Sequence, residues 1–300
     1  MQTCLDCIPC FIGQALSALR LVSQDEATIE SALKKILEAT SKVNMNCSPP
    51  EMAGEIHRII RQTIKSTDPY QDLKEKSTQG ALQAEPSVRK KIMAAKSPLA
   101  MAMRYAIAGN VIDFAIMAEW DANRLEKCLD EAAERPLRYD DTETLIEAIE
   151  KAETILILGD NAGETVFDRL LIEQMPKGKV WYAVKSGPVL NDATLADAHA
   201  VGLHRVAHLI ENGTDFPGTV LQHCSKEFLD LFNRADVIIA KGQGNLESLY
   251  GTSRPVYFLS QIKCSVLGNA LEAEVGDWAV LSSQVIREQQ HACNKTGVRT

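Results

Sequence analysis

The second half of the chain alternates between two patterns. From residue 153 onward come six short β-branched or aromatic runs: TILILG, KVWYAVK, RVAHLI, DVIIAKG, PVYFLSQ and WAVLSS. Between most of them lie helical patterns such as ETVFDRLLIEQM, SKEFLDLFNRA and GNLESLYG. No other feature restricts the fold so tightly. Strands that alternate with helices imply right-handed crossovers and a parallel sheet covered by helices on both faces. The expected fold class is α/β, with a three-layer α/β/α, Rossmann-like domain over residues 151–300.

The first half, residues 1–150, reads as an all-helical domain. DEATIESALKKILEA places Ile29, Leu33, Ile36 and Leu37 at helical spacing. Ser48, Pro49 and Glu51 form a capping-box start with proline at the first helical position. MAMRYAIAGNVIDFAIMAEW is apolar almost all round, as a central helix buried by its neighbours would be. NRLEKCLDEAAER and TETLIEAIEKA follow, on either side of Pro136. Three hundred residues accommodate two such domains.

Composition removes several function classes. A formal charge of −8, with basic residues dispersed among acids, argues against a nucleic-acid groove or an anionic membrane as partner. No apolar run approaches the roughly 20 residues that span a bilayer. The opening MQTCLDCIPC lacks the basic and apolar regions of a signal peptide, so a cytoplasmic location is expected. The eight cysteines then read as thiols or ligands rather than as a disulfide framework.

In parallel α/β sheets, ligands sit outside the carboxyl ends of the strands. The first strand of the second half ends in Gly159-Asp160-Asn161-Ala162-Gly163-Glu164, and the second in a segment with Lys185, Asn191 and Asp192. The third ends in Glu211, Asn212, Asp215 and Thr219, and the fourth in Lys241, Gly242, Gly244, Asn245 and Glu247. Gln261 and Lys263 follow the fifth. Asp160, Asn161 and Asp192 offer hard oxygen ligands of the kind that suits Mg²⁺ or Mn²⁺. Gly163, Gly242 and Gly244 let main-chain amides approach an anion, and Lys241 supplies a compact positive charge. A metal, amide donors and a lysine around one pocket are what a transferring phosphoryl group needs. The plainer alternative is that Asp-Asn caps a helix and the glycines merely turn the chain. KGQGNLE lacks the third glycine of a dinucleotide fingerprint, and no G-x-x-x-x-G-K-[ST] occurs.

LGDNAGE, KSGPVLNDAT, ENGTDFPGT and DVIIAKGQGNLESL, together with AIAGNVIDF and CIPCFIGQAL, resemble the damage-control phosphatases. These are the ARMT-like, metal-dependent phosphatases long catalogued as domain of unknown function 89. The compact length and N-terminal cysteines resemble their stand-alone prokaryotic and archaeal branch. The resemblance implies a helical region packed on an α/β/α domain, and removal of phosphate from small metabolites such as sugar phosphates or damaged cofactor intermediates. It implies a divalent cation (Mg, Mn, Co or Ni) on Asp160, Asn161 and Asp192, with Lys241 near the phosphate. Asn110 and Asp113 would face the same cleft, although Asn110 could equally satisfy a buried helix. Lys185, Asn212 and Asn245 join the glycines on the phosphate side.

Two chemical routes fit these residues. Water attacks directly with Glu164 as base, or Asp160 forms a phospho-aspartate; no D-x-D-x-[TV] signature follows the first strand, which counts against the second. Two rivals stay open: a non-catalytic nucleotide or metal sensor using the same rim, and an S-adenosylmethionine-dependent methyltransferase. Cys4, Cys7 and Cys10, as C-x2-C-x2-C, could hold zinc or an iron–sulfur cluster. Such a site wants a fourth ligand, and Gln14 stands where a ferredoxin-type run would have it. A redox or merely buried role is the alternative.

Overall fold

In the computed structural model, residues 1–110 and 122–296 are described. Three helices open the chain: α1 (Cys7–Val22), α2 (Glu26–Ser41) and α3 (Pro49–Ile64). Asp25 caps α2 by accepting from the Thr28 amide at 3.2 Å. The capping box at α3 forms as its sequence requires, with the Ser48 amide donating to Glu51 Oε2 at 2.8 Å. Ile29, Ala32 and Ile36 of α2 are buried with Phe11, Leu19, Ile56 and Ile60 in a cluster of their own. Leu37 is an exception to the expected stripe, being exposed.

Next come α4 (Gln71–Ala94), α5 (Pro98–Asn110), α6 (Ala122–Glu131), β1 (Leu137–Asp140) and α7 (Thr142–Lys151). The expected alternation follows: β2 (Ile155–Leu158), α8 (Thr165–Ile172), β3 (Val180–Val184), α9 (Leu195–Ala200) and β4 (His208–Glu211). It continues through α10 (Lys226–Arg234), β5 (Val237–Lys241), α11 (Gly242–Leu249) and β6 (Val256–Gln261). The chain closes with α12 (Ser265–Ala270), β7 (Trp278–Ser282) and α13 (Ser283–Thr296).

Among the described residues the strands form one sheet in the order β1-β7-β6-β5-β2-β3-β4. All neighbours are parallel except β6 and β7. The sheet is thus mostly parallel, with one antiparallel pairing that the alternation did not disclose. It also takes in Leu137–Asp140, a strand inside the stretch read as helical. Central strands alternate between two cores. Ile155, Ile157, Val237 and Ile239 face α4, α5, α7 and α8, whereas Leu156, Leu158, Ile238 and Ala240 face α10 to α13. This two-sided burial explains why the runs read as continuously apolar.

Two features position a site. The chain leaves β2 for β3 and β4 on one side, then returns with β5 on the other side of β2. The carboxyl ends of β2 and β5 therefore flank the topological switch point, where such sheets leave a crevice. Helix α3 is tied to the same edge. Arg58 Nη2 meets Asp215 Oδ1 at 2.6 Å, Arg61 also pairs with Asp215, and Arg61 Nη1 donates to the Pro188 carbonyl at 2.6 Å. The first three helices are thereby held over the strand ends.

Candidate active site

Main-chain bonds lace the segments after β2 and β3 together. The Ala193 amide donates to the Asp160 carbonyl at 2.7 Å, and the Ala162 amide to the Asn191 carbonyl at 2.8 Å. An isolated antiparallel bridge pairs Asn161 with Asp192. Asp160, Asn161 and Asp192 are thus brought side by side by backbone geometry. The loop that presents Asp192 contains Leu190 at φ 47°, a left-handed conformation that costs an ordinary side chain energy and clusters at functional sites. Across the switch point, Gly242 opens α11 with φ +75°, and a Cβ there would run into Asp160 Oδ2. Only glycine lets β5 turn into its helix this close to the carboxylate.

Behind these residues lies a chain of buried charge. Asn110 Nδ2 donates to Asp160 Oδ2 at 2.7 Å and to Glu164 Oε1 at 2.6 Å. Asn161, which caps the helical turn after it, donates its own Nδ2 to Glu164 Oε1 at 2.6 Å. Lys241 Nζ meets Glu164 Oε2 at 2.9 Å and Asp168 Oδ1 at 2.6 Å, and is fully buried. The Tyr182 hydroxyl closes the chain on Asp168 Oδ2 at 2.7 Å.

The electrostatics divide this set in two. Burial, then the charges of Glu164 and Asp192, push the Asp160 carboxyl well above its ordinary range. Burial also raises Asp168, against the pull of Lys241. For Lys241 burial alone would disfavour the ammonium, but Asp168 and Glu164 outweigh it and hold the charge more firmly than usual. At the back two carboxylates share one lysine inside the protein, whereas at the front Asp160 and Asp192 face the cavity, with Lys185 3.5 Å from Asp192 Oδ2 and Lys263 in the same wall.

A cavity of about 590 Å³ opens in front, with Asp160, Asn161, Asn191, Asp192, Gly244 and Lys263 in its wall. The donor set fits a hard divalent cation: two carboxylates and an amide, side by side on one wall. Asn110 Oδ1, buried beside them, makes no hydrogen bond among the described residues. Also among the described residues, no group of three or more His, Cys, Asp or Glu side chains is placed to hold a metal ion. An Asp-Asn-Asp set, with two acids only, falls outside that description.

Other expected site residues are engaged by the protein itself. A Cβ at Gly163 would meet Ser77 Oγ, so this glycine admits α4 rather than an anion. Asn212 accepts from the Thr214 amide at 3.0 Å and shapes the turn after β4. Asn245 bonds the Lys241 and Gly159 carbonyls at 2.7 and 3.2 Å, and accepts from Thr219 Oγ1 at 2.7 Å. It straps β2 to β5, with both its amide atoms used. Lys185 Nζ donates to the Gly218 carbonyl and lies 3.5 Å from Asp192 Oδ2. Glu164 and Lys241 sit behind the cavity wall instead of in it. Asp113 lies outside the described residues.

The thiols do not gather as a three-ligand site. Cys4 and Cys7 Sγ are 3.5 Å apart, but Cys10 is exposed one turn later and receives a hydrogen bond from Gln14 Nε2 at 3.4 Å. Burial pushes the Cys7 thiol up to about 12, so without a metal it stays protonated. Cys7 and Cys10 nonetheless line the same cavity as Asp160.

Asp168 and Gln243 were missed from the sequence, and Lys263 was noted at the end of the fifth strand but given no role. Asp168 follows Glu164 by four residues, a helical spacing that could have disclosed a shared partner. Lys263, not Lys241, is the lysine of the cavity wall, and Gln243 stands beside it, accepting from the Lys263 amide at 2.7 Å.

A profile of the Damage-control phosphatase ARMT1-like domain matches residues 3–278. The chain belongs to that family. It is 33% identical to an uncharacterized protein of Methanocaldococcus jannaschii, over 92% of this chain and 94% of that one. It is 32% identical to a damage-control phosphatase of Pyrococcus horikoshii, over 92% of this chain and 96% of that one. The crystal structure of a DUF89 family protein from Pyrococcus horikoshii superposes with a TM-score of 0.87 at 31% identity, covering 94% of this chain and 99% of that chain. Among the described residues no helix is long and apolar enough to cross a membrane.

Proposed function

We propose that the cleft at the β2–β5 switch point hydrolyses phosphate monoesters of small metabolites with the help of a divalent cation of the Mg²⁺, Mn²⁺, Co²⁺ or Ni²⁺ kind. The observation that carries this reading is the convergence of Asp160, Asn161 and Asp192 on one cavity wall with Lys263. Membership of a phosphatase family supports it. A cation held by the three oxygen donors would polarise the phosphoryl group and make bound water more acidic.

The chain's own residues have separable tasks. Lys263 offers positive charge against phosphoryl oxygens, and the main chain at Gln243 and Gly244 brings the amino end of α11 to the same wall. Asn110 orients Asp160 by donating to Oδ2. Glu164, clamped by Lys241, holds Asn110 and Asn161 in place, so both charged residues act as positioning groups. Cys4, Cys7 and Cys10 are left out of the cation site because they do not converge.

The test uses metal-stripped protein on p-nitrophenyl phosphate and a panel of metabolite phosphates, with each of the four cations added back. Phosphate release restored by a cation is the expected result. Cation binding without turnover would point to a sensor, and release undiminished by chelator would overturn the metal assignment.

A further inference from the structure

One amide of the cavity wall is buried and donates to nothing in the protein. Asn191 lies in that wall with 5% of its surface exposed, and among the described residues its Nδ2 has no hydrogen-bond partner. Three other asparagines around the site use this atom internally. Asn110 donates it to Asp160 and Glu164, Asn161 to Glu164, and Asn245 to the Lys241 and Gly159 carbonyls. Burying a donor without a partner forfeits its bonds to water, and an apolar side chain of the same size would avoid that cost.

The main chain fixes Asn191 although its amide nitrogen is not tied down. Its carbonyl accepts from the Ala162 amide at 2.8 Å, the Ala193 amide donates to the Asp160 carbonyl at 2.7 Å, and Asp192 bridges to Asn161. Leu190, immediately before it, holds the left-handed conformation at φ 47°. The strained turn that brings Asp192 to the site therefore brings Asn191 as well. Both stand at the end of the cavity where Asp160 and Asn161 stand, and neither Asp160 nor Asp192 accepts from Nδ2.

We propose that Asn191 is a catalytic residue whose amide donates to a phosphoryl oxygen and not to the leaving group, so that it serves every ester alike. This rests on the phosphatase reading and adds to it a residue that binds the transferred group. The chemistry of the wall favours a neutral donor here. Lys263 already supplies a positive charge, and a further ammonium would repel the cation, whereas an amide takes an oxygen without that penalty. A donor fixed in advance also needs no rearrangement as charge shifts among the oxygens during transfer. The internal cost of leaving Nδ2 unpartnered is then recovered when the phosphoryl group binds.

The experiment compares wild type, Asn191→Leu and Asn191→Asp. It measures kcat/KM for p-nitrophenyl phosphate and for the best metabolite ester of the panel, inhibition by orthovanadate, and the thermal midpoint without and with Mn²⁺. In Asn191→Leu, kcat/KM should fall at least about tenfold, by a similar factor for both esters, and vanadate inhibition should weaken as much. Its metal-free midpoint should equal or exceed that of wild type, because no internal hydrogen bond is lost, and Mn²⁺ should still raise it. Asn191→Asp keeps the shape and sets a negative charge against the phosphoryl oxygens, so its activity should fall at least as far. A smaller loss in either variant, a loss that differs tenfold between the esters, a lowered metal-free midpoint or an absent Mn²⁺ response in Asn191→Leu would each overturn the assignment. These outcomes leave the phosphatase reading standing wherever wild type with added cation releases phosphate. Wild type that releases none from any ester would overturn that reading and the role of Asn191 with it.

Discussion

The front and back of the site contain the same kinds of side chain and put them to opposite ends. At the back, Glu164 and Asp168 close on Lys241, Tyr182 completes the set, and every charge has a partner within 3 Å. At the front, Asp160 and Asp192 line an open cavity, and burial, then the charges of Glu164 and Asp192, push the Asp160 carboxyl up. The difference teaches that burial of a charge is no guide to its role. A carboxylate closed off inside the protein is scaffolding, and one that lines a cavity is available to a ligand.

Lys241→Met should break the back most severely. It leaves two buried carboxylates without their cation, and loss of one partner of such a network costs about 3–5 kcal/mol. Urea unfolding monitored by circular dichroism measures this; a midpoint within error of wild type would show that the back is not held by charge. Asp160→Asn should do the reverse at the front. Turnover on p-nitrophenyl phosphate should fall by about a hundredfold or more, while the metal-free protein gains stability because a repelled carboxylate has been removed. Added Mn²⁺ should raise the thermal midpoint of wild type and have little effect on the variant. A loss of metal-free stability in Asp160→Asn would erase the distinction between front and back.

A smaller effect is expected from Tyr182→Phe, which removes one donor to Asp168 and should cost about 1.5–3 kcal/mol as a hydrogen bond to a charged group. Thermal unfolding checks it, and an unchanged midpoint would remove Tyr182 from the network. The mildest signal concerns pH. Burial raises Glu247 from 4.5 to about 7. Between those values the folded protein binds more of this proton than the unfolded chain, so its contribution to stability declines as pH rises from about 4.5 to about 7. Glu247→Gln should flatten that part of the stability profile; an identical slope in wild type and variant would show that Glu247 titrates normally.

The comparison also explains what could be read from sequence. The strand–helix alternation and the polar strand ends were legible because burial on both faces and exposure at the rim leave direct marks on composition. The role of Lys241 was less so, since a lysine ending an apolar strand suggests exposure. Counting by twos along β5 supplies the missing argument. Val237 and Ile239 face α8, so Lys241 continues onto that face, toward Glu164 and Asp168. Leu137–Asp140 was missed because a four-residue strand beside Pro136 resembles a loop. The antiparallel turn of β7 depends on long-range pairing with β6, to which no local pattern corresponds.

The wall of the cavity is drawn from distant parts of the chain: Cys10, Phe11 and Ala53 from the opening helices, Asp160, Asp192 and Lys263 from the sheet. Only the second group bears on the phosphoryl end. The helices, moored through Arg58 and Arg61 to Asp215, form a roof whose inner surface could be exchanged without disturbing the floor. Grafting the α1–α3 segment of a relative onto this sheet, with the Asp215 anchor kept, would then transplant a preference for metabolite shape while the hydrolytic floor stayed as it is. A lineage of such enzymes could diversify its diet by drift in the first sixty-five residues alone.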